Sequence, residues 1–243
     1  AALLETDVPA ASMPANRREA ARDGFVVHAQ AGGVEEAEFP LKRNGITTLG
    51  RGNCDVSMPG DELLSDAHAS ILHTREGYFL RDDGSATGVY YRAPEGKMLE
   101  LAVGSVVRLG RQFLVIERNN GRFGFIQYAA TGDEIQRKDI QEHAMILGRD
   151  APDVTLAADD MVLSRRHIAF MVKDGSLFLK DLKSLNGTFL KVQNPVPLDQ
   201  NDQFRIGRQT FRLTLAKEAR TDKVYMVMAQ GSYEMVAERK ARS

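Results

Sequence analysis

Cysteine is nearly absent: Cys54 is the single one in 243 residues, which excludes an intrachain disulfide and fits a reducing compartment. No apolar run approaches the roughly 20 residues of a membrane span, and no charged-then-apolar export signal opens the chain, so a cytoplasmic location without membrane insertion is expected. Excess charge of one sign is missing too. The formal net charge is −1 and no block of Lys and Arg stands out, which gives nucleic-acid binding no footing. The first residue is Ala1 rather than methionine, so the chain reads as a processed product or a piece of a longer protein.

The signatures of catalysis are also missing. There is no Gly-x-Ser-x-Gly elbow, and no glycine-rich loop ends in Lys-Ser/Thr to hold a nucleotide. His28, His68, His73, His143 and His167 form no zinc-ligand spacing, and Cys54 stands alone. Ser164 and His167, three residues apart, resemble a nucleophile and base, but no acid or oxyanion loop accompanies them. No enzyme activity, metal or cofactor is expected.

What the sequence does contain is strands. With 43% hydrophobic and 27% charged residues, it has the composition of a globular protein and the length for two cores. Short apolar runs at 25–29, 46–49, 69–72, 78–80 and 113–116 are separated by Gly32-Gly33, Asn44-Gly45, Glu76-Gly77 and Asp83-Gly84. This is the texture of an all-β sandwich, with no competing helical period. Runs at 123–128, 143–147, 168–172, 177–180, 189–190, 204–206 and 211–215 continue it.

These runs repeat. Gly50-Arg51, Ser65 with His68, Gly88, and Gly110-Arg111-Gln112 recur as Gly148-Arg149, Ser164 with His167, Gly187, and Gly207-Arg208-Gln209, at spacings of 97 to 99 residues. A repeat that long is a duplicated domain, since each copy is large enough to bury a core of its own. The expected divisions are a flexible tail at 1–23, a first domain at 24–118, a second at 119–216 and an extension at 217–243. The polar stretch from Glu117 to Arg122 marks the boundary.

The second copy carries three polar clusters: Gly148-Arg149, Ser164-Arg165-Arg166-His167, and Ser184-Leu185-Asn186-Gly187-Thr188. Arg149 supplies a forked, permanent cation suited to two phosphate oxygens, and Ser164 adds a short hydroxyl donor. Asn186 has both donor and acceptor for a peptide backbone, and Gly187 suits a tight turn. The order and spacing resemble a forkhead-associated (FHA) domain, and the whole chain resembles two in tandem. That resemblance implies two β-sandwiches whose loops bind phosphothreonine. It places Arg149, Ser164, Arg165 and Asn186 on the ligand and makes Gly148, His167 and Gly187 shape the loops. The partner implied is a protein phosphorylated on threonine by a Ser/Thr kinase.

The first copy departs from this pattern at two positions. Asp66 stands where the second has Arg165, and Thr87 where it has Asn186. A carboxylate there repels phosphate and is placed to pair with Arg51. Arg51 and Ser65 persist as the remnant of a weak site, so the first domain is expected to be degenerate, with a structural or docking role. The alternative is a phosphate-independent scaffold or self-association module.

Overall fold

The computed structural model describes residues 24–29, 37–216, 225–229 and 232–236. The proposed tail at 1–23 lies outside them, as does most of the extension. Every regular element is a strand. The first copy supplies Gly24–Ala29 (β1), Ala37–Pro40 (β2), Ile46–Gly50 (β3), Val56–Ser57 (β4), Ala69–Thr74 (β5), Gly77–Asp82 (β6), Val89–Arg92 (β7), Met98–Leu101 (β8), Val106–Leu109 (β9) and Gln112–Asn119 (β10). The second supplies Arg122–Tyr128 (β11), Glu134–Asp139 (β12), Met145–Gly148 (β13), Val154–Thr155 (β14), Ile168–Lys173 (β15), Ser176–Asp181 (β16), Thr188–Lys191 (β17), Val196–Leu198 (β18), Gln203–Ile206 (β19) and Gln209–Leu215 (β20). A separate hairpin, Tyr225–Ala229 (β21) and Ser232–Val236 (β22), follows.

The apolar runs predict the central strands because alternate residues face a core. In β10, for example, Leu114 and Ile116 are fully buried while their neighbours are half-exposed. The strand β12 has no apolar run to announce it. It is charged and mostly exposed, held on the outer edge of the sheet by pairing with β11.

Two sandwiches are present, but each is assembled from both copies. One five-stranded sheet runs β18-β6-β5-β3-β4, another β14-β13-β15-β16-β8, and a ten-stranded sheet β12-β11-β10-β9-β17-β7-β19-β20-β1-β2 backs both. Thus β8 of the first copy pairs with β16 of the second, and β18 of the second with β6 of the first. The cores follow the same exchange. Leu101, Val107, Leu109, Leu114 and Ile116 pack with Leu147, Ile168, Phe170 and Leu179. Leu198, Phe204, Ile206, Phe211 and Leu213 pack with Leu49, Ile71 and Leu80. The reading in which each copy buries its own core is therefore corrected.

The physical reason lies in the two crossings. The segments joining β7 to β8 and β17 to β18 are short and contain Pro94 and Pro195, and short hinges favour passing a strand onward over folding it back. The copies are similar enough for the last three strands of either to complete the other. Two carboxylates fix the exchange. Asp61 accepts hydrogen bonds from the Arg208 backbone N–H at 2.8 Å and from Gln209 Nε2 at 2.7 Å. Its counterpart Asp160 accepts from the Arg111 N–H at 2.8 Å. The boundary at Glu117–Arg122 is the tight turn of the β10–β11 hairpin, so the copies are joined by paired strands and not by a linker.

Candidate functional site

The loops after β13, before β15 and between β16 and β17 converge at one end of the second five-stranded sheet. The Arg149 N–H donates to Ser164 O at 2.9 Å and the Asp150 N–H to Arg165 O at 3.1 Å. The first two clusters are thereby joined side by side. Gly148 must be glycine for lack of space, since a Cβ there would run into the Arg165 carbonyl. His167 is buried and both ring nitrogens are engaged. Nδ1 accepts from the Ser164 N–H at 3.0 Å, which leaves Nε2–H to meet Gly187 O at 3.2 Å. One imidazole thus links the second cluster to the third. Burial pushes its pKa below the usual histidine value, against the opposing pull of the Gly187 hydrogen bond.

The third loop rests on a residue the sequence reading did not single out. Asp181 is buried and accepts from the Ser184 N–H at 2.8 Å, the Ser184 hydroxyl at 2.7 Å and the Thr188 hydroxyl at 2.5 Å. Burial raises its pKa, yet the hydrogen bonds from Thr188 and Ser184 outweigh burial and hold the carboxyl below its ordinary value. Above this support Asn186 Nδ2 donates to Val162 O at 2.8 Å, and the Leu185 N–H donates to Ser164 Oγ at 3.1 Å. Gly187 has φ +78°, a conformation that favours glycine.

The predicted site residues are therefore gathered on neighbouring loops, with Arg149 and Ser164 half-buried and Arg165 and Asn186 exposed. Among the described residues Arg149 has no carboxylate partner; its Nε donates to Leu163 O at 3.2 Å. Around them stand Met161, Val162 and Leu185, exposed by 75%, 38% and 84%. The corresponding positions of the first copy are Glu62, Leu63 and Ala86. This apolar rim is legible in the sequence only once the loops are known to meet.

The first copy builds the same frame. His68 accepts from the Ser65 N–H at 3.0 Å and meets Gly88 O at 3.2 Å, and the Ala86 N–H reaches Ser65 Oγ at 3.1 Å. Thr87 Oγ1 donates to Leu63 O at 2.9 Å, the bond Asn186 makes in the second copy. The difference is at the cation. Arg51 donates to Asp66 Oδ1 through Nε at 3.2 Å and through a terminal nitrogen at 3.0 Å. The pairing expected from the sequence is present.

The FHA-domain family model matches residues 47–110 and 145–207, more than half of the chain. The chain belongs to the FHA family. Its members are phosphopeptide-binding signalling domains, and the matched segments contain both sets of loops described above. An oxoglutarate dehydrogenase inhibitor from Corynebacterium diphtheriae is 37% identical over 71 residues, 28% of this chain and 48% of that protein. The glycogen accumulation regulator GarA of Mycolicibacterium smegmatis is 35% identical over 74 residues, 29% of this chain and 45% of that one. The chain thus spans under half the length of these curated relatives. Among solved structures, an FHA domain from Chlamydia trachomatis aligns over 79% of this chain and 96% of its own, at 12% identity and a TM-score of 0.34. No helix among the described residues is long and apolar enough to cross a membrane.

Proposed function

We propose that the second copy binds phosphothreonine in a partner protein through Arg149, Ser164, Arg165 and Asn186, and that the first copy is a closed, structural counterpart. The observation that carries this reading is the contrast at the two arginines. Arg149 is anchored by one neutral carbonyl, which orients it while leaving its charge to a ligand. Arg51 is already held by Asp66. A phosphate approaching Arg149 meets Arg165 as a second cation, whereas one approaching Arg51 must first displace a carboxylate of its own sign. Asn186 spends an N–H on Val162 O and keeps Oδ1 to accept from a peptide N–H, a capacity Thr87 lacks.

The chain acts in this reading as a reader of phosphorylation written by a Ser/Thr kinase, and not as an enzyme. His167 supports that, because its two nitrogens hold loops together and neither is free to take a proton from Ser164. The relatives named as an enzyme inhibitor and a regulator support a regulatory role.

The test is fluorescence-anisotropy binding of a degenerate phosphothreonine peptide pool, with the unphosphorylated pool as control. Arg149→Ala is expected to weaken phosphate-dependent binding by about 100-fold, the worth of a bidentate charge-assisted contact. Arg51→Ala should leave it unchanged. Binding that ignores the phosphate would replace this reading with that of a phosphate-independent scaffold.

A further inference from the structure

Phosphothreonine binding at the Arg149 loops makes no use of the outer face of the ten-stranded sheet. There, across the β17–β7 seam, matching positions of the two copies carry Arg108 on β9 and Arg205 on β19. Arg108 stands opposite Phe189, and Arg205 opposite Tyr90. Tyr90 and Phe189 are only 7% and 5% exposed although neither joins the two core clusters described above. The guanidinium of Arg108 lies 5.8 Å from the Tyr90 ring centroid and 5.5 Å from that of Phe113. That of Arg205 lies 5.4 Å from Phe189.

Both guanidinium groups are partly withdrawn from water onto aromatic rings. Nε of each is buried and makes no hydrogen bond, and among the described residues neither arginine has a carboxylate at ion-pair distance. Burial weakens the charged form of both, and Arg108 adds its own repulsion at Arg205. Stacking on the rings offsets only part of the cost of taking a guanidinium out of water. With Nε closed off, the outward terminal amino groups are what each guanidinium has left to offer. Lys191 on β17 faces the same side and adds to the positive field, while Arg92 on β7 is held by Glu95 at 3.4 Å and by Gln203.

We propose that Arg108 and Arg205 form a binding site for a phosphoryl-type oxyanion, separate from the Arg149 site. Two like cations call for two negative charges on one small group, which a phosphate dianion supplies and a single carboxylate does not. The anion is either free or carried on a second phosphorylated side chain of a bound protein; the chemistry of recognition is shared.

The test uses the full chain and arginine Nε–Hε correlation spectra, titrated with inorganic phosphate or with sodium chloride at equal ionic strength. Phosphate should shift the Arg108 and Arg205 signals in the wild type and in Arg149→Ala alike, and chloride should not. Equal shifts with both salts, or none at these two arginines, would overturn the proposal even if Arg149 still reads phosphothreonine. The wild-type spectra decide this should Arg108→Gln with Arg205→Gln fail to fold. Where that double variant folds, a doubly phosphorylated peptide distinguishes the sources. A gain of about tenfold over the singly phosphorylated form, lost in the variant, identifies a peptide-borne group. Equal affinity alongside the phosphate shifts identifies a free anion.

Discussion

The two copies share a loop frame almost bond for bond and differ in what the frame presents. Ser65, His68 and Gly88 repeat the hydrogen bonds of Ser164, His167 and Gly187 at the same distances to within 0.1 Å. One residue after the serine separates them: Asp66 closes on Arg51, and Arg165 leaves Arg149 open. A site can therefore lose its charge without losing its shape. The residues that build such a loop are under different physical demands from those that meet its ligand.

The sharpest way to break the comparison is to exchange that residue. Arg165→Asp should place a carboxylate beside Arg149 and lower phosphopeptide affinity by about 100-fold, since a cation is removed and an anion added. Asp66→Arg with Thr87→Asn should do the reverse, raising the stoichiometry in calorimetry from one peptide per chain to two. If the first copy stays silent after both changes, its defect lies in the rim and not at the cation.

A smaller effect tests the exchange of strands. Asp61 and Asp160 are buried and each accepts from a turn of the opposite copy as well as from its own loop. Alanine at either should destabilise the protein by about 1–3 kcal/mol, the cost of leaving buried N–H groups unpaired, read as a lower denaturation midpoint. Only Asp160→Ala should also weaken phosphopeptide binding, by a few-fold, because its loop leads to Val162 and Ser164. Equal binding losses for both would mean that the copies are coupled as a whole.

The mildest contrast is in pH. The folded pKa of His167 is depressed below 6.5 by burial, so the stability tied to its neutral form is fully present above that value. It is lost as pH falls through the lower folded pKa. Asp181 follows the same sign further down, its contribution present above 3.8 and lost as pH falls through its depressed value. Melting temperature should therefore fall from pH 7 toward pH 5, and His167→Gln should flatten the fall. A wild type with constant melting temperature across that window would show that burial does not depress the folded pKa of His167.

Much of this molecule is legible in the sequence because the physics there is local. Alternating apolar residues announce β10 and β20, Asn186-Gly187 announces a turn, and the recurrence of Gly-Arg, Ser and His at a nearly constant offset announces two copies of one site. Even the Arg51–Asp66 pair follows from charge and position. Asp181 and Asp160 are less legible, since a carboxylate in a polar stretch looks the same whether it is solvated or buried under hydrogen-bond donors. Their recurrence as Asp82 and Asp61 is the signal that was available. The charged strand β12 is silent because its pairing with β11, and not its own side chains, makes it a strand.

Patterns within single stretches of chain specify the all-β class, the duplication and the residue content of each site. Which copy completes which core was decided only in three dimensions. The last three strands of the two copies occupy matching positions in the repeat, so no local pattern distinguishes the two closures. The short crossings at Pro94 and Pro195, the bonds to Asp61 and Asp160 across the copies, and the continuity of one ten-stranded sheet settle it. The same seam places Arg108 and Arg205 together with no carboxylate between them, a juxtaposition that exists only after the strands have been exchanged.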